Sequence, residues 1–167
     1  PPLALGGEKA LTLWVMASGW AGPLFLYTVA RRWLAPLWSL ALALILATTP
    51  AWIYGAGSGQ VEPRLALFAF AGLLAATEAR ARNTLRYAAL AGMLAGFYAA
   101  GKFFGLFFVA AAGLVVVSTR APWRPAALFA AGAGAAGFQW YLWNYIHIGD
   151  PVFPGLFSIL GVRDSGF

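Results

Sequence analysis

Between Tyr87 and Val117 the chain reads YAALAGMLAGFYAAGKFFGLFFVAAAGLVVV, with a single charge, Lys102, near its centre. A continuous helix over this segment would rise about 46 Å at about 1.5 Å per residue. The hydrocarbon core of a bilayer is only about 30 Å thick. One span would therefore be too long, and it would bury an ammonium at high cost. Gly101 and Gly105 bracket the lysine in AAGKFFG, which suits a tight turn between two short helices. Lys102 is thus predicted to lie at a water-facing turn joining two spans.

The rest of the chain supports a membrane setting. Of its 167 residues 62% are hydrophobic and 10% charged, with a mean hydropathy of +0.76. Soluble domains carry about 25% charge, so there is too little here to cover a water-facing surface. No cysteine is present, which excludes disulfides, thiolate metal sites and cysteine nucleophiles. The net charge of +6 comes from basic residues grouped between apolar stretches, a membrane pattern, and no nucleic acid is expected as a partner. Position 1 is a proline, so the chain is expected to be processed or to belong to something larger.

Charges and turn formers divide the sequence into six apolar stretches, approximately 9–30, 34–53, 64–79, 85–101, 103–119 and 125–146. Six alternating crossings place Arg31, Arg32, Arg80, Arg82, Arg86, Arg120 and Arg124 on one face, with Glu78 the only acid there. The other face receives Lys9, Arg64, Lys102 and Arg163 against Glu8, Glu62, Asp150 and Asp164, which cancel. The positive-inside rule makes the arginine face cytoplasmic. The expected fold is all-α: one transmembrane domain over 1–167, a polytopic bundle of about six helices with both ends outside. A bacterial inner membrane is the expected location.

Small residues at Gly92 and Gly96, and again at Gly132, Ala133 and Ala136, recur at the spacing that lets membrane helices approach closely. Pro23 and Pro50 are expected to bend or end their helices. The eight tryptophans fall mostly near predicted span ends, as interfacial belts do.

Candidate chemistry lies in the outer segments. YGAGSGQVEPR reads as a flexible, glycine-rich loop that delivers Glu62, Pro63 and Arg64 at a helix start. Glu62 is either a helix-start residue favoured by the dipole or a surface carboxylate acting as base or metal ligand. Lys102 is either a snorkelling anchor or a point charge for a lipid phosphate, which Arg64 can join unless it neutralises Glu62. Asp150, in GDPVFP, is a further candidate substrate-binding residue, weighed against a rigid chain reversal. His147 is the only histidine, and a lone histidine builds no metal site without other ligands, although it can be an axial ligand to a macrocycle. Gln139 reads as a polar link between helices. Phosphate-loop, catalytic-triad, HExxH and paired metal-ligand motifs are all missing from the sequence.

Taken in order, several segments resemble the membrane region of GT-C glycosyltransferases, especially the group similar to bacterial dolichyl-phosphate-mannose–protein mannosyltransferases. They are Pro1-Pro2-Leu3 with LGGEKAL, then LYTVARRW, then TTPAWIYGAGSGQVEPRLALF, then AGMLAGFYAAGKFFG, and last NYIHIGDPVFP. The resemblance implies transfer of a sugar from a polyprenyl-phosphate donor at the outer leaflet. It carries one catalytic acid onto Glu62, where aspartate is commoner, and it allows a divalent metal ion as cofactor. The first-loop acid of such enzymes would lie upstream of Pro1, so this chain by itself is expected to be inactive.

Two function classes therefore stand side by side. One is part of a membrane glycosyltransferase, with Glu62 as base or metal ligand and Arg64, Lys102 and Asp150 binding substrate. The other is a non-catalytic subunit, derived from such an enzyme, that packs with other membrane subunits in lipid. A transporter is disfavoured because no predicted span interior holds an ionisable residue.

Overall fold

Prolines and glycines set most of the helix boundaries. The computed structural model describes residues 2–119 and 121–153, with side chains from residue 6 onward. Among these residues there are seven helices and no strand. Helix α1 (Pro2–Ala30) is kinked at Gly6 and Gly7, and Gly7 takes φ 64°, a backbone region that favours glycine. The LGGEKAL segment is thus where this helix breaks. At Pro23, where a bend or an end was expected, α1 runs on to Ala30.

The second apolar stretch forms two helices instead of one. Helix α2 (Pro36–Thr48) stops at Thr49, whose extended backbone (φ −63°, ψ 125°) is what a residue before proline prefers. Pro50 then opens α3 (Pro50–Gly57), bent by 60° from α2. The loop expected to be flexible from Tyr54 onward is half helix, and only Ser58 to Val61 forms the connection. Helix α4 (Glu62–Arg82) follows, and Asn83 at φ 50° turns the chain into α5 (Leu85–Gly101). After the Lys102 turn come α6 (Gly105–Val117) and α7 (Trp123–Ile148), the latter capped by Gly149 at φ 81°.

The helices differ both in length and in how apolar they are, and α4 carries Glu62, Arg64, Glu78, Arg80 and Arg82. Among the described residues Gly6–Ala30 is the one helix long and apolar enough to cross a bilayer, and α2 with α3 qualifies only as one bent span. Helix α6, with 13 residues, rises about 20 Å. The described residues are all-α, while helix length and composition support one crossing, or two with the bent pair, against the six expected.

The chain forms two compact units, Pro1–Leu67 and Phe68–Phe167, with the division inside α4. In the first, α1 packs against α2 and α3. Trp52 lies flat where a Cβ on Gly22 would sit, and its indole N–H donates to the Gly19 carbonyl at 2.9 Å. That carbonyl needs a donor: in a regular helix it would receive the N–H of residue 23, and Pro23 has none. Two sequence features, Gly22 and Pro23, are explained by one tryptophan.

In the second unit α5 and α7 form the main contact. A Cβ on Gly92 would collide with the Phe129 carbonyl, and one on Gly96 would come within 2.5 Å of the Ala133 oxygen. Gly132 is pressed in the same way on Ala89 and Met93. The glycine and alanine positions picked out in the sequence thus form a seam of backbone-to-backbone contact. Matching positions rise together along both helices, so α5 and α7 run parallel. Helix α6 returns antiparallel between them in sequence, with Gly105 on Ala99 and Phe108 edge-on to Tyr98.

The core of this unit is built from Ala75, Ala76, Ala79, Ala88, Ala91, Ala95 and Ala112, with Val116 and Phe129. Several large side chains lie outside it: Phe70, Phe107 and Leu114 are each about 70% exposed (69%, 72% and 69%).

Candidate functional site

The turn after α5 is the most constrained charged feature. Gly101 ends the helix, Lys102 is extended (φ −151°, ψ 138°), and its N–H still reaches the Tyr98 carbonyl at 3.3 Å. The Gly105 N–H donates to the Lys102 carbonyl at 2.8 Å, which closes the reversal. Gly105 lies on the backbone of Ala99 so closely that a Cβ would stand 2.6 Å from the Ala99 nitrogen. The lysine side chain is exposed, and the segment that looked like one overlong helix is a hairpin.

A side chain from α7 completes this arrangement. The Tyr141 hydroxyl donates to the Ala99 carbonyl at 2.8 Å. Ala99 is in the last turn of α5, where carbonyls lack helical donors. Nothing in the sequence marks Tyr141, because its role depends on the register between α5 and α7. Gln139, expected to be the polar link, is exposed, and its amide reaches only Ala136 of its own helix at 3.5 Å.

Parallel packing brings the C-terminal ends of α5 and α7 to one end of this unit. Lys102 follows α5 there, and Asp150 follows α7. Asp150 is fully buried, and its Oδ1 accepts the Val152 N–H at 2.9 Å, while the Phe153 N–H reaches its carbonyl at 3.3 Å. This is chain-reversal geometry, the alternative weighed for GDPV. Pro154 lies outside the described residues, as do Arg120, Arg163 and Asp164 of the charge count. Arg86 and Arg124 begin α5 and α7 at the opposite end, where Arg82 also pairs with Glu78 at 2.6 Å. Among the described residues of this unit, Glu78, Arg80, Arg82, Arg86 and Arg124 thus lie at one end and Lys102 and Asp150 toward the other.

His147 is exposed on the last turn of α7, stacked on Trp143 with ring centroids 4.3 Å apart. Its Nδ1 lies 2.9 Å from the Trp143 carbonyl, so a hydrogen bond there requires the proton on Nδ1. Trp140 stacks in turn on Trp143 at 5.9 Å. Asn144, buried on the same helix, is a polar position that the sequence reading passed over.

Glu62 and Arg64 belong to the first unit. Glu62 is exposed in the first turn of α4, where the helix dipole favours an acid. Pro63 is buried, 3.1 Å from where a Cβ on Gly55 would be, and the Gln60 N–H reaches the Gly55 carbonyl at 3.2 Å. Arg64 is partly buried. Residues two apart on a helix point in different directions, so the helical spacing does not suit Arg64 to neutralising Glu62. In the same unit an apolar cavity of ≈ 220 Å³ lies beside Met16, Gly19, Trp20, Pro23 and Trp52. A second, lined by Thr12, Val15, Ala56 and Ser58 among others, continues from it past Met16.

Among the described residues no group of three or more histidine, aspartate or glutamate side chains gathers to hold a metal ion. The donor set for the divalent ion that the resemblance allows is not assembled among those residues. Comparison with family models, curated proteins and solved structures gives no match.

Proposed function

We propose that the chain is the membrane-embedded part of a glycosyltransferase that uses a polyprenyl-phosphate sugar donor at the outer face of a bacterial inner membrane. The observation that carries this reading is the exposed Lys102 at a helix break, in a unit that exposes many large apolar side chains and whose described arginines, Arg80, Arg82, Arg86 and Arg124, lie at the other end. Lipid would cover that outer surface. An ammonium at the edge of such a unit suits a lipid phosphate, whose tail stays among apolar side chains. In this reading Glu62 removes the proton of an acceptor hydroxyl as its oxygen attacks the sugar. The bond to the donor phosphate breaks, and the phosphate leaves with the electron pair. Lys102 offsets charge on the donor phosphate, and the arginine end of its unit is cytoplasmic.

A non-catalytic membrane subunit is the second reading. It is favoured by the face of α7 around Gly134, which has no neighbour within 4 Å and leaves room for another helix. The two readings separate in the full-length protein. Glu62→Gln should abolish sugar transfer and leave donor binding nearly unchanged, since it removes a base and keeps the shape. Lys102→Ala should weaken donor binding roughly tenfold, less at high salt because the contact is exposed. Transfer that survives Glu62→Gln would discard the enzymatic reading.

A further inference from the structure

The Lys102 hairpin is fixed from two directions at one residue. Ala99, three positions before the lysine, meets Gly105 of α6 across its backbone nitrogen and receives the Tyr141 hydroxyl of α7 on its carbonyl. The 2.8 Å bond joins residues 42 apart in sequence and lies in partly buried surroundings. The carbonyl it satisfies is one that the helix leaves open where the chain departs at Lys102.

We infer that Tyr141 is a positioning residue for Lys102: its hydroxyl caps α5 from a different helix and holds the turn that presents the ammonium. This rests on the proposed reading only where it extends to ligand binding; the holding of the turn stands by itself. Helix α5 has no glycine at the position after its end, and Lys102 continues in extended backbone, so a local cap of the usual left-handed kind is missing. The phenol supplies in trans a donor the turn does not supply itself. Phenylalanine would keep the ring and its packing and remove only that donor.

The test uses the full chain in lipid nanodiscs and exploits its lack of cysteine. A nitroxide on Lys102→Cys reports the mobility of the turn without any ligand. Adding Tyr141→Phe should narrow its spectrum, while Tyr145→Phe, at an exposed tyrosine of the same helix, should leave it as it was. An unchanged spectrum with Tyr141→Phe overturns the inference. In chains that retain Lys102, Tyr141→Phe should also weaken binding of polyprenyl phosphate by about fivefold, the scale of one ordinary hydrogen bond. In a Lys102→Ala background it should add no further loss. If the label is mobilised but Lys102→Ala binds polyprenyl phosphate as tightly as the unaltered chain, Tyr141 still positions the turn and the phosphate role of Lys102 falls. If Tyr141→Phe weakens binding equally with and without Lys102, the hydroxyl acts on the ligand by another route and its role through Lys102 is overturned.

Discussion

Gly96 and Gly134 differ in sequence context by little and in surroundings by a great deal. A Cβ on Gly96 would lie 2.5 Å from a backbone oxygen of α7 and 2.9 Å from the Ala136 Cβ, whereas one on Gly134 would meet nothing within 4 Å. Backbone cannot step aside as a flexible side chain can, so Gly96→Leu should push α5 and α7 apart, at about 1–3 kcal/mol. Gly134→Ala should do the reverse, gaining up to about 1 kcal/mol from helix propensity alone. Thermal unfolding in detergent measures both, and equal shifts for the two would contradict the α5–α7 seam. The sequence contains the small-residue spacing of both glycines. It does not say which faces a helix, because that depends on how α7 is rotated against α5.

At the scale of the element, α1 survives an internal proline through its contact with α3. Pro23 removes a donor, Gly22 makes room, and the Trp52 indole fills the gap at the Gly19 carbonyl. Trp52→Phe should cost about 1–3 kcal/mol, because it leaves a partly buried carbonyl without its donor. Pro23→Ala returns a helical N–H to the same oxygen, so Trp52→Phe should cost less in that background. A double-mutant cycle on unfolding free energies reads this coupling, and strictly additive losses would show that the indole bond and the proline are independent. The same pair explains why the expected break in α1 at Pro23 is missing, whereas at Pro50 the residue before the proline is extended and the helix does part. A proline's local effect is legible in sequence. Whether a distant side chain compensates for it is not.

At the scale of the whole molecule, the proposed membrane placement makes a prediction about sides. Because the chain contains no cysteine, a single cysteine at Gly57 or at Arg82 is the only thiol to label. In intact cells an impermeant maleimide should modify Gly57→Cys directly and Arg82→Cys only after the membrane is opened. The opposite pair of results would invert the assigned orientation. Apolar periodicity and turn formers were enough to read helices throughout the described residues, the Lys102 break and the break at Pro50, because each follows from local chemistry. Proline and glycine determine nearby backbone, and charge is excluded from long apolar helices wherever they pack. The unbroken run of α1 past Pro23, the trans cap from Tyr141 and the burial of the turn at Asp150 were decided by tertiary structure. Each depends on which faces of separate helices meet, and a one-dimensional pattern of small and apolar residues is compatible with several such meetings.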